Sequence, residues 1–160
     1  MNWQEVCEHP SLQDLPFKIE LNQRGHIVMV PAKTLHSVLQ TRISREITKW
    51  QSEGESVVEC ALQMPDGSVK VPDVVWFSST RFAQVGDSSA CTIIPEICVE
   101  VMSPSNSHSE MTEKRMLYFS AGAEEVWICT NRGNLSFYNE HGKIVQSALI
   151  PAFPQQIKIL

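Results

Sequence analysis

Asp73, Glu100 and Lys114 stand where a purely structural role is expensive. Glu100 lies in Glu96-Ile97-Cys98-Val99-Glu100-Val101-Met102, an apolar run that reads as a central strand. An ionised carboxylate buried there must be paired, protonated or bound to a metal. Strand alternation puts Glu100 on the face of Cys98, with Val99 and Val101 opposite. It also falls near the C-terminal end of the strand, where α/β sheets bind ligands. A structural salt bridge is the competing account. Asp73 opens the run Val74-Val75-Trp76-Phe77 and is carried towards the same sheet; its plain alternative is a strand-edge carboxylate accepting backbone N–H groups. Lys114 shares a helical stripe with Met111, Leu117, Tyr118 and Ala121. It either points inward or snorkels to solvent along its own stem.

If the three converge, they have a specific chemistry. Two carboxylates suit a hard divalent cation, Mg²⁺ or Mn²⁺, leaving coordination positions for water and phosphate. Such a cation polarises a phosphoryl oxygen and makes bound water a better nucleophile. An adjacent lysine can orient that water or offset charge in the transition state.

The elements that must position these groups follow from the period of the apolar residues. Phe17–Leu21 and His26–Val30 alternate as strands around the turn Asn22-Gln23-Arg24-Gly25, a hairpin. From Thr34, a plausible N-cap, Leu35, Val38, Leu39, Ile43, Ile47 and Trp50 recur at helical spacing, with Arg42, Arg45, Glu46 and Lys49 on the other side. Val57–Gln63 and Ser68–Phe77 are strands about the turn Pro65-Asp66-Gly67, so Asp66 is turn chemistry. Residues 78–94 form a loop. After the 96–102 strand, Ser103-Pro104-Ser105 breaks the chain, and a helix from about Ser109 to Ala121 ends at Gly122. Glu125–Thr130 is another buried strand, and two turns then separate closing strands. The expected architecture is mixed α/β around one sheet, in one domain spanning 1–160: an irregular lead-in over 1–16, a core over about 17–130 and a β tail over 131–160.

With 160 residues the chain can bury a core without metals or disulfides. Its 13 basic and 18 acidic residues give a net charge of −5, which argues against a broadly basic nucleic-acid footprint and leaves only a local patch. Between residues 40 and 120 the contributors to one are Arg42, Arg45, Lys49, Lys70, Arg81, Lys114 and Arg115. Five scattered cysteines without a CxxC pair point to a reducing cytoplasm rather than a disulfide scaffold or zinc site. No leader or membrane span is expected. Trp76 and Trp127 are expected in the core.

Four blocks occur in an ordered pattern: Val71-Pro72-Asp73-Val74-Val75, Pro95-Glu96-Ile97-Cys98-Val99-Glu100-Val101-Met102-Ser103-Pro104-Ser105, Glu113-Lys114-Arg115-Met116-Leu117-Tyr118, and Ala121-Gly122-Ala123-Glu124-Glu125-Val126-Trp127. This pattern resembles the bacterial Uma family of "putative restriction endonucleases", within the PD-(D/E)XK nuclease-like superfamily. The resemblance covers roughly residues 17–130. It implies a restriction-endonuclease-like αβββαβ core, a mixed central sheet flanked by helices, and Asp73 and Glu100 as the metal carboxylates. The superfamily lysine, two residues after the second acid, is replaced here by Met102. The Uma-type pattern instead carries a lysine on the following helix, which matches Lys114. Glu20 and Glu110 are candidate supporting carboxylates. His36 matches a family histidine position, but its helix suggests a surface residue.

The resulting expectation is a Mg²⁺- or Mn²⁺-dependent nuclease acting on nucleic acid, DNA by preference. The competing expectation is a catalytically idle binding or assembly module that keeps the fold. Pairing into a homodimer, as superfamily nucleases do to cut both strands, is a fold-level analogy.

Overall fold

The computed structural model describes residues 1–31 and 33–159. Residues 1–16 are more ordered than the two prolines suggest. Helix α1 (Trp3–Glu8) is started by a capping box, in which the Asn2 side chain accepts the Glu5 N–H and the Glu5 carboxylate returns to Asn2 N. A 3₁₀ turn (Pro10–Leu12) follows.

The strands form two sheets, not the one expected. Strands β1 (Phe17–Leu21), β2 (Ile27–Pro31), β4 (Leu62–Gln63) and β5 (Val69–Lys70) make a small sheet of order β2-β1-β5-β4. The larger sheet is β10-β9-β8-β7-β6-β3, built from β3 (Glu55–Val58), β6 (Val74–Phe77), β7 (Ile97–Val101), β8 (Glu125–Cys129), β9 (Leu135–Asn139) and β10 (Gly142–Ile144). Both long strands expected between residues 57 and 77 are therefore split. The first breaks at Glu59, which takes a left-handed φ of 51°. The second breaks at Val71-Pro72-Asp73, where proline has no N–H to give a ladder. The chain thus crosses from the large sheet to the small one and back, and Asp73 lies on the return.

Two helices sandwich the large sheet. Helix α2 (Thr34–Trp50) buries Leu39, Ile43 and Ile47 against Val74, Trp76, Val99, Trp127 and Phe137. Fully burying each such aliphatic side chain contributes about 1.5–3 kcal/mol. Lys33, rather than Thr34, occupies its N-cap position, without a side-chain cap bond, and Leu35 and Trp50 are exposed. On the opposite face, helix α4 (His108–Ala121) sets Met111 and Tyr118 against Val75, Cys98, Val126 and Ile128. Ser107 caps α4, and Gly122 closes it at φ 117°, a conformation that favours glycine. A short helix α3 (Ser79–Phe82) interrupts the 78–94 loop. In chain order α2, β3, β6, β7, α4 and β8 give the αβββαβ core. Strands β3, β6 and β7 pair antiparallel, and β8 pairs parallel to β7 after the α4 crossover. All five cysteines are free, and no described helix is long and apolar enough to cross a membrane.

Candidate active site

The register of β6 and β7 decides where the two principal acids meet. Val74 pairs with Val99 and Val75 with Cys98, so one step further the antiparallel ladder sets Asp73 across from Glu100. The Asp73 Oδ2 atom accepts the Val101 backbone N–H at 2.7 Å. Its Oδ1 atom receives His36 Nε2 at 2.9 Å and Lys18 Nζ at 3.0 Å. An ionised carboxylate only accepts, so His36 Nε2 carries the proton in that contact. Burial alone would raise the Asp73 pKa, but the His36 hydrogen bond, the Lys18 charge and the Val101 N–H outweigh it and lower it to about 2.

Glu100 and Glu20 are linked by Lys114, whose Nζ lies 3.1 Å from Glu100 Oε1 and 3.3 Å from Glu20 Oε1. The buried Tyr118 hydroxyl also donates to Glu100 Oε1 at 2.5 Å. Burial and the neighbouring Glu100 charge push the phenol's pKa well up, so it stays a donor. Glu20 accepts Val71 N–H at 2.9 Å and faces Lys70 at 3.8 Å. For Lys114 burial favours the neutral amine, yet the Glu100 and Glu20 charges prevail and the net shift is upward. The same holds for Lys18, where burial is outweighed by Glu100, Asp73 and Glu20. Three buried carboxylates and three lysines thus balance one another in one cluster.

Asp73, Glu100, Lys114 and Glu20 are brought together. Glu110 is not: its carboxylate accepts Ser107 N at 3.0 Å and completes a capping box at the start of α4, and Lys114 turns to Glu100 and Glu20 instead. His36 is not a surface residue either. It lies in the first turn of α2, only 16% exposed, against Asp73. Sequence reasoning also missed Lys18, the ammonium that approaches both Asp73 (3.0 Å) and Glu100 (3.8 Å). Its signal was the period of two that puts Lys18 and Glu20 on one face of β1, a pattern that equally describes a solvated hairpin. Only the folding of the small sheet over the end of the large one turns that face inward.

Among the described residues no three His, Cys, Asp or Glu side chains form a metal-holding group. Ammonium groups stand between the carboxylates. The donors are all oxygen, the set a hard cation takes, and one or two carboxylates suffice for Mg²⁺ alongside water and phosphate. Beside this cluster a cavity of about 220 Å³, bordered by His36, Leu39, Val101, Met102, Ser103 and Asn131, opens outward. Met102 makes its part of this wall apolar.

The sequence matches the Uma2 family model, described as "Putative restriction endonuclease", over residues 3–159. Among solved structures, the fold is similar to that of "a putative nuclease belonging to DUF820" from Anabaena variabilis. The TM-score is 0.75 at 16% identity, covering 99% of this chain and 94% of that one. No match was found among curated proteins.

Proposed function

Because the chain belongs to the Uma2 family, we propose that it is a divalent-metal-dependent nuclease that hydrolyses phosphodiester bonds in DNA. In this reading Asp73 and Glu100 hold Mg²⁺ or Mn²⁺, and Lys114 serves the attacking water. The observation that carries it is the antiparallel register that faces Asp73 with Glu100 while lysines from β1 and α4 reach the same two carboxylates.

When bound, the cation would polarise a phosphoryl oxygen and lower the pKa of coordinated water. The chain's own residues account for the rest. Val101 N–H and His36 pin Asp73 from two sides, so its carboxylate cannot rotate away. Tyr118 and Lys114 engage Glu100 through Oε1, which leaves Oε2 towards Lys18. Lys18 is held by charge on a flexible four-carbon stem, so it can give up its place to a cation of higher charge. Glu20 keeps Lys114 charged and aimed, a supporting role. Lys114 itself supplies a hydrogen-bond donor and a positive charge beside Glu100, suited to orient water and offset charge on the phosphate.

The second reading, an inactive binding module, draws on two specific observations: Lys18 standing between the acids, and Met102 in place of lysine. Supercoiled plasmid incubated with Mn²⁺ at low salt separates the two. We expect the wild type to nick it and Asp73→Ala to be slower by at least a hundredfold. Equal cutting by both proteins sinks the proposal. No cutting by either, together with no thermal shift on adding Mn²⁺, favours the binding module.

A further inference from the structure

Seven basic residues lie between positions 40 and 120, and four of them lie away from α2. Lys70 and Lys114 face Glu20 and Glu100, Arg81 pairs with Glu96 and Glu124, and Arg115 stacks over the Tyr138 ring. The remaining three, Arg42, Arg45 and Lys49, fall on α2 and line a single groove of about 500 Å³. Lys158 joins them from the C-terminal segment, and the exposed indole of Trp50 closes one end. Among the described residues Glu46 is the only acid lining it, against four cations. In a chain of net charge −5, this is a concentrated positive field.

The groove is aligned with the candidate active site. Leu35, Leu39, Arg42, Glu46 and Lys49 follow spacings of four, three, four and three, so they run along one face of α2. The first two border the cavity beside His36, and the last three border the basic groove. From Leu35 to Lys49 the helix rises about 21 Å, roughly six nucleotide steps at 3.4 Å per strand. Arg42 is a fixed member, because its guanidinium donates to the carbonyls of Lys158 and Ile159 and ties the last residues to α2. Arg45 and Lys49 are exposed in the groove; the Lys49 ammonium lies 3.8 Å from Glu46 Oε2 and over the Trp50 ring, an exposed pairing that a phosphate can displace.

We propose that this face of α2 is a phosphate-backbone track: DNA leaving the site at His36 runs along α2, with Arg45, Lys49 and Lys158 contacting successive phosphates. The proposal extends the nuclease reading by giving its substrate a path, and the acidic remainder of the surface confines the strand to it.

The test is fluorescence anisotropy of a labelled 20-base-pair DNA in EDTA across a salt series, with the full chain, its Arg45→Glu/Lys49→Glu variant and its Arg45→Lys/Lys49→Arg variant. We expect the charge reversal to weaken binding at least tenfold and to flatten the log–log salt slope by about two, one per lost phosphate contact. The conservative variant should bind like wild type. Both positions are exposed, so the melting temperature should stay within a few degrees. Unchanged affinity and slope in the charge-reversed protein overturn the track, as does wild-type binding to anionic vesicles or RNA but not DNA. Plasmid nicking run in parallel separates the two readings. Cutting that survives charge reversal at wild-type DNA affinity leaves the nuclease standing without the track. Binding lost on charge reversal in a protein that never cuts leaves the track standing without the nuclease.

Discussion

The large sheet buries carboxylates at both ends and treats them in opposite ways. At one end Glu125, on β8, is 2% exposed and meets only neutral donors. These are Trp127 Nε1 and Ser147 Oγ, both at 2.7 Å, with the backbone N–H groups of Ala148 at 2.7 Å and Leu149 at 3.1 Å. At the other end Asp73 and Glu100 are no less buried, but lysines supply half of their contacts, beside His36, the Val101 N–H and the Tyr118 hydroxyl. Because β7 and β8 run parallel, with Ile97 beside Glu125 and Glu100 beside Ile128, the two acids occupy opposite ends of neighbouring strands. Donors built into backbone and core cannot leave, so Glu125 acts as a rivet that fastens the C-terminal segment to the sheet. Ammonium groups on long stems can be exchanged for another cation. Burial alone therefore does not distinguish the two ends; the chemical kind of their partners does.

Substitutions at the two ends should separate accordingly. The largest effect is expected from Glu100→Gln, which should lose a hundredfold or more of metal-dependent nicking per folded molecule and also about 3 kcal/mol of stability, because Lys114 and Lys18 lose their shared carboxylate. A Glu100→Gln protein that cuts normally would erase the distinction between the ends. Next is Lys18→Met. Removing one partner from a buried ionic cluster costs about 3 kcal/mol, and metal-free unfolding should show that loss. Added Mn²⁺ should then raise the melting temperature of Lys18→Met by more than it raises the wild type's, since the competing ammonium is gone. An identical Mn²⁺ shift in both would show that Lys18 does not compete with the cation.

Glu125→Gln should show the converse pattern. Its amide N–H₂ would confront donors that need an acceptor, at a cost of about 2 kcal/mol, or roughly 4–8 °C in a chain of this size. Nicking per folded molecule should be unchanged; a loss of activity without a loss of stability would contradict the rivet. The smallest effect concerns pH. Asp73 is held at about 2 in the folded chain, below the carboxylate range of the unfolded one. Its contribution is therefore fully present above about pH 4 and fades as the pH falls towards 2, on the order of 2 kcal/mol in all. Urea unfolding at pH 5 and at pH 2 should show that part of the difference in wild type and not in Asp73→Asn. Equal pH dependence would mean that Asp73 is not held by charge.

The amino-acid sequence by itself determined the elements whose signals are local. The stripe Leu39, Ile43 and Ile47 specifies the buried face of α2, Gly122 ends α4, and the apolar run around Glu100 specifies a central strand. It also singled out Asp73, Glu100 and Lys114, because a charge amid apolar neighbours is costly wherever the chain folds. Tertiary structure alone decided the partners. Lys18 and Glu20 look solvated on their own hairpin, and His36 looks exposed on its own helix. They become site residues only because the chain crosses between two sheets at Glu59 and at Pro72, folding the small sheet over the end of the large one. Glu110 shows the same limit in reverse: its spacing from Lys114 fits an ion pair, but the helix start claims its carboxylate first. Local periodicity records which face of an element is apolar, whereas a long-range ion pair depends on loop crossings that leave no period in the chain.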